Sequence, residues 1–215
     1  MSARAARRPP RPEAVAWPSD PPSPFQRTGR RERQRAATRE RLFTAALAEF
    51  RSKGFERANV AEIARAAGVS RPSFYAHFPT LDHVLFELVW RLARQAVRRL
   101  EAVSGLRASL DRLADALIEA ERAVGDPSLF REMISIFARR SAGIDGAEIP
   151  VLGELLRRFE LARRAGELRA GMAPAQAARL CLSGVFGHLL GVEATPAERR
   201  ADLRALFSLY LAKGV

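Results

Sequence analysis

The chain has 215 residues, of which 47% are hydrophobic, so it is long enough and apolar enough to bury a core. Its formal net charge is +12 with an isoelectric point near 11.3, which points to a polyanionic partner, nucleic acid ahead of an anionic membrane surface. The single cysteine, Cys181, excludes an internal disulfide framework and a multi-cysteine zinc site, a reducing cytoplasm is the expected compartment, and no apolar run reaches the roughly 20 residues that span a bilayer.

Residues 1–37 stand apart. They carry seven of the 13 prolines, and nine arginines against three acidic residues. No periodic apolar pattern runs through them, and Pro21, Pro22 and Pro24 oppose a helix. The expectation is a disordered basic arm over 1–37, reaching phosphates or a minor groove; a solvated tail, or a start assigned too far upstream, explains the same composition. The N-terminus has no apolar core of a secretory signal. Apart from Lys53 and Lys213 the cations are all arginine, which suits bidentate phosphate and guanine contacts, though a codon bias gives the same count.

Thr38–Arg51 reads as a helix with Leu42, Phe43, Ala46, Leu47 and Phe50 on one face, and Gly54 ends it. Asn59–Phe78 reads as two short helices joined by a tight turn. Asn59 is a good N-cap, and Glu62 three residues on suggests a capping box. Gly68 ends the first helix and Val69 plugs the turn. Arg71-Pro72 opens the second, with Arg71 as the expected cap. Phe74 and Phe78, spaced i, i+4, point inward. That leaves Arg71, Pro72, Ser73, Tyr75, Ala76 and His77 outward, a face suited to a DNA major groove. An ordinary helical hairpin with a solvated face fits this segment taken alone.

After Pro79-Thr80 the apolar spacing stays helical: about Leu81–Val103, Arg107–Ala123, Ser128–Arg140, Ile149–Ala165, Pro174–Val192 and Pro196–Ala212. Nothing reads as strand. The expected architecture is all-α with about nine helices. No catalytic constellation is present: His77, His83 and His188 lack metal-ligand spacing, so no metal, no cofactor and no enzymatic role are expected. Cys181, alone in an apolar helix, reads as packing with a redox sensor as the alternative.

Thr38–Leu88 resembles the DNA-binding domain of TetR-family bacterial transcriptional regulators. The resemblance rests on the AALAEF helix, Gly54-Phe55, the EIARAAGVS run, Ser73-Phe74-Tyr75 and His77-Phe78-Pro79. It implies a helix-turn-helix domain over 38–80 and a helical effector-binding and dimerisation domain over 81–215. It implies a homodimer on a palindromic operator, released by a small molecule, with repression as the default. A TetR-fold activator, or a helical partner-binding protein without specific DNA binding, is the alternative. By the same resemblance Arg71, Pro72, Ser73 and Ala76 face bases, Tyr75 and His77 touch phosphates, and Asn59 opens the preceding helix. Ala58 and Ala61 depart from the family pattern, and Leu81 stands where many members have a phosphate-binding lysine.

The implied effector site lies among the helices between Leu81 and Val192. Its large apolar side chains, Trp90, Phe130, Met133, Phe137, Phe159 and Phe186, favour an apolar or aromatic effector, with Trp90, Met133, Phe137 and Phe159 as expected walls; each is also an ordinary core candidate. The last two helices are expected to form a four-helix dimer interface through Ala178, Leu182, Val185 and Leu189, and through Leu203, Phe207 and Tyr210.

Overall fold

The computed structural model describes residues 29–141 and 149–212. Among these residues the chain forms nine helices: α1 (Arg30–Lys53), α2 (Val60–Ala66), α3 (Arg71–His77), α4 (Leu81–Glu101), α5 (Leu106–Val124), α6 (Pro127–Ser141), α7 (Pro150–Arg164), α8 (Pro174–Gly191) and α9 (Pro196–Ser208). α1, α2 and α3 pack together through Leu42, Phe43, Ala46, Phe50, Ile63, Phe74 and Phe78, all nearly inaccessible to solvent. This core runs without a break into that of α4–α9. α4 carries the connection: Glu87 and Arg91 pair with Arg39 and Glu40 of α1, and its length lies against α5, α6 and α7.

α1 starts earlier than expected. The helix begins at Arg30, so residues 30–37 are helical rather than part of a disordered arm; residues 1–28 lie outside the described residues. The reason is local. The prolines stop at Pro24, and RRERQRAA is built of strong helix formers whose charge density masked their propensity. Glu32, in the first turn, accepts the Gly29 N–H at 3.2 Å.

Two caps also differ from expectation. Ser70, not Arg71, caps α3: its Oγ accepts from the Ser73 N–H at 3.4 Å, and Arg71-Pro72 occupy the first two helical positions. Serine offers an acceptor oxygen and arginine does not. Asn59 does cap α2, accepting from the Ala61 N–H at 2.8 Å. Its own N–H is taken by Glu49 of α1 at 3.3 Å, while Glu62 pairs with Arg65, so no capping box forms. The α2 end is a Schellman turn. Gly68 has φ +68°, the Val69 N–H returns to Ala64 O at 2.9 Å, and the Gly68 N–H to Arg65 O at 3.1 Å.

α9 stops at Ser208, short of the expected Ala212. The next residues turn back onto the α7–α8 connection, where Leu168 and Leu211 form an isolated antiparallel bridge. The Arg169 N–H donates to Tyr210 O at 2.9 Å and the Ala212 N–H to Glu167 O at 2.8 Å. α9 is also tied to α5 by a ladder of ion pairs, Arg204–Asp111 at 3.0 Å, Arg200–Asp115 at 2.9 Å and Arg199–Glu121 at 2.9 Å. Arg158 staples the middle of the molecule. Buried on α7, it donates to Leu100 O, to Val103 O at 2.5 Å and to Ser109 Oγ at 3.2 Å, with its charge met by Glu154 at 2.6 Å.

The seven side chains expected at the dimer interface, Ala178, Leu182, Val185, Leu189, Leu203, Phe207 and Tyr210, are all buried inside the protomer. Within the protomer the apolar stripe of α8 faces α6 and α7, and that of α9 faces α5. A stripe of that size covers its own protomer's core before it can cover a partner.

Candidate nucleic-acid interface and effector cavity

α3 is seven residues long and held from behind. Phe74 and Phe78 sink into the core, their rings 5.9 Å apart. Arg39 of α1 donates to the His77 carbonyl at the end of α3, and its guanidinium lies 4.0 Å from the Phe78 ring centre. Arg41 donates to the Ala67 carbonyl at the end of α2 at 3.1 Å. Two arginines of α1 thus satisfy the orphan carbonyls at the ends of both short helices, where the helix dipoles favour positive charge.

This anchoring presents one face. Arg71, Pro72, Tyr75, Ala76 and, at the start of α2, Asn59 are exposed, and Ser73 and His77 are half-buried. The Arg71 guanidinium lies 5.8 Å from the Tyr75 ring centre, and its Nη2 is 3.4 Å from the Tyr75 hydroxyl. Arginine, hydroxyl and phenol groups on the first turns of an exposed helix are donors suited to base edges and phosphates. Burial, then the charges of Arg35 and Arg39, push the His77 pKa below its ordinary value, so the imidazole is neutral at neutral pH. Leu81, at the lysine position of many relatives, packs partly buried against the core.

The head is locked to α4 by charge. Arg91 is buried, lies 4.0 Å from the Phe43 ring centre, and reaches Glu40 of α1 at 2.7 and 3.0 Å and Glu87 at 2.5 Å. Glu87 also takes Arg39. Burial works against the Arg91 charge, but bonds to Glu40 and Glu87 outweigh it and raise its pKa. A single chain of contacts therefore runs from α4 through Glu87 and Arg39 to the last carbonyl of α3.

Comparison with known proteins agrees with this geometry. The sequence profile for bacterial regulatory proteins of the TetR family matches residues 42–88. Residues 42–88 are a TetR-family helix-turn-helix domain. The uncharacterized HTH-type transcriptional regulator Rv2250c of Mycobacterium tuberculosis is 29% identical over 141 residues, 65% of this chain and 74% of its own length. Among solved structures, FadR of Thermus thermophilus, a TetR-family repressor in complex with lauroyl-CoA, aligns with TM-score 0.59 and 25% identity over 80% of this chain and 90% of that one. SmeT, the repressor of the Stenotrophomonas maltophilia multidrug efflux pump SmeDEF, aligns with TM-score 0.57 and 26% identity over 83% and 94%. SmeT has also been solved in complex with triclosan. A DNA-binding transcriptional regulator is what these similarities support. No helix among the described residues is long and apolar enough to cross a membrane.

An apolar cavity of about 60 Å³ lies between α4, α5, α6, α7 and α8. Met133 and Phe137, both expected, line it. Trp90 and Phe159 do not. Trp90 stands on the far side of Phe137, ring centres 6.3 Å apart, and borders an open cleft with Arg39, His77 and Phe86. Phe159 is fully buried against Tyr210, ring centres 5.7 Å apart. Phe130 and Phe186 line the cavity too, with Leu113, Leu117, Ala93, Ala96, Ala116 and Ala120, which their size and spacing did not single out. The alanines were the available signal: small residues on facing helices α4 and α5 leave space that the ring residues of α6 and α8 fill only in part.

Proposed function

We propose that the protein is a ligand-released repressor that binds a palindromic operator as a homodimer. The observation that carries this reading is the unbroken contact chain from cavity to recognition helix. Phe137 lines the cavity and stacks on Phe86, ring centres 5.8 Å apart; the next residue, Glu87, holds both Arg39 and Arg91. Arg39 holds the end of α3. A ligand that displaces Phe137 pushes on α4 and so on the head, which gives the two sites a shared mechanical element.

The effector class follows from the cavity wall, which is almost wholly apolar. An apolar or aromatic molecule, or the acyl part of a larger one, is the chemistry it accepts. Lauroyl-CoA and triclosan, bound by FadR of T. thermophilus and by SmeT, are of this kind. Arg71, Pro72, Ser73 and Ala76 then face bases, Asn59, Tyr75 and His77 the backbone. The dimer face is the outer side of α8 and α9. Leu180 and Leu190 are exposed on α8 with Ser183 and Gly187 between them, and Ala201, Ala205 and Ser208 are exposed on α9. Small residues flanked by leucines let two helix pairs approach closely.

The test is a footprint of the full chain on the DNA upstream of its own gene. The expected result is a protected palindrome with recognition helices in successive major grooves, about 34 Å apart or somewhat wider, lost on adding triclosan or lauroyl-CoA. No protected site at any palindrome would defeat the operator reading. Protection that both ligands leave intact would defeat the release by this class of effector.

A further inference from the structure

The first two turns of α1 have no structural reason to exist in isolation. Every residue from Gly29 to Ala37 is exposed. Nothing is buried there to offset the entropy of ordering a backbone, and a helix that is polar all round is stable only with charge partners or an opposing surface. The charges within the segment work against it. Arg30, Arg31, Arg33 and Arg35 face a single acid, Glu32. Arg31, Arg35 and Arg39 fall on one i, i+4 row, where like charges oppose helix formation.

That row points somewhere definite. Its last member, Arg39, donates to the His77 carbonyl at the end of α3. At 1.5 Å per residue, Arg35 lies about 6 Å and Arg31 about 12 Å further out along the axis. Arg35 is near enough to His77 for its charge to bear on the imidazole. The exposed Tyr75 shares that last turn of α3. A positive ridge therefore leaves the reading head beside the residues that face the DNA backbone, and Leu81 supplies no cation at the start of α4.

We infer that Arg30, Arg31, Arg33 and Arg35 form a helical phosphate clamp that grips the DNA backbone outside the base pairs read by α3. The partner is duplex DNA, recognised through its phosphates and without regard to sequence. Guanidinium groups on this ridge bind phosphate oxygens in bidentate fashion, and the polyanion removes the repulsion along the arginine row. The clamp rests on the reading of the protein as a DNA-binding regulator, and adds affinity rather than specificity to it.

The test compares the full chain with a variant carrying Arg30→Gln, Arg31→Gln, Arg33→Gln and Arg35→Gln, which keeps helix propensity. A control carries Arg98→Gln, Arg112→Gln, Arg122→Gln and Arg164→Gln, the same charge change at exposed positions on α4, α5 and α7. Affinity for the upstream duplex and for a shuffled duplex is followed by fluorescence anisotropy across a salt series. Each neutralised phosphate contributes about 0.9 to the slope of log affinity against log salt, so two clamp arginines engaged per subunit predict a loss of about 3–4 for the dimer. The expected result is that loss on both duplexes, little change in their affinity ratio, and a control slope like the wild type. An unchanged slope overturns the clamp, and so does an equal loss in the control. A wild type that binds both duplexes alike defeats the operator reading while the slope comparison still decides the clamp.

Discussion

Phe137 of α6 and Phe86 of α4 stack with ring centres 5.8 Å apart and planes 23° from parallel. One ring belongs to the cavity wall, the other borders the cleft under the reading head. Phe186 meets the same Phe137 edge-on at 5.8 Å, so Phe137 links a ring of α8 to one of α4. Replacing Phe86 by alanine should therefore leave cavity binding largely intact but uncouple it from DNA. Allosteric coupling is typically 1–3 kcal/mol; with Phe86→Ala it should fall below about 1 kcal/mol, read as the ratio of operator affinities with and without triclosan. Coupling at the wild-type level would place the transmission elsewhere.

Arg71 stands exposed at the start of α3, its guanidinium near the Tyr75 ring. Arg71→Ala should cost about 1–3 kcal/mol on the operator and relax selectivity at one position in each half-site. A competition series over single base-pair variants measures both. An equal loss on operator and shuffled DNA would make Arg71 a backbone contact.

The faces of α8 separate folding from assembly. Leu180→Arg with Leu190→Arg should yield folded monomers, since both side chains are exposed at 49% and 39%. Leu182→Arg with Phe207→Arg places two charges in the protomer core and should prevent folding rather than merely dissociate it. Sedimentation and circular dichroism on the two pairs give the answer. A Leu180/Leu190 variant that remains dimeric would move the interface off this face.

His77 links DNA binding to pH. Burial and the neighbouring Arg35 and Arg39 lower its pKa in the free protein. A phosphate at the same position favours the imidazolium, so the pKa is higher in the complex and binding takes up a proton. Operator affinity should rise as pH falls through the region at and below about 6.5, and His77→Gln should flatten that rise. An affinity independent of pH would remove His77 from the backbone contacts.

Burial pushes the Cys181 thiol from 9.0 up to about 12. Its native thiolate is scarce at neutral pH, so iodoacetamide should label the unfolded chain and spare the folded one. The sign for stability follows from the raised value. The folded state holds its proton more tightly than the unfolded state, so this contribution is complete below pH 9.0 and is lost as pH rises toward about 12. Rapid labelling of the native protein at pH 7 would contradict the buried placement.

What the sequence made legible was periodicity and punctuation. Asn59, Gly68 and the Phe74/Phe78 pair marked the head because each has a backbone or packing requirement that few residues meet. Length and spacing placed the later helices to within a few residues. What stayed hidden depends on partners distant in the chain. Asn59 loses its expected capping box because Glu49, ten residues earlier, arrives first. The stripe of Leu182 and Phe207 has the period of an interface, but period alone does not tell a protomer's own core from a partner's. Trp90 and Phe159 were chosen for size, whereas the cavity arises where Ala93, Ala96, Ala116 and Ala120 leave room. The helix over Arg30–Ala37 is hidden because the charge density of these residues obscures their helix propensity.

The cavity is small. About 60 Å³ holds a few water molecules, while small-molecule sites run from about 300 to 1,000 Å³. A larger occupant needs its wall, Phe130, Phe137 and Phe186 included, to give way, and on the proposed reading its apparent affinity is its intrinsic affinity scaled by the fraction of molecules already open. The dose at which the regulated gene responds is then set by two separable quantities, how well the molecule fits and how rarely the rings stand apart. Trimming one ring, as in Phe130→Leu, shifts that response threshold downward while the operator and the chemical class of inducer stay the same. A lineage can thus retune when it reacts without changing what it reacts to.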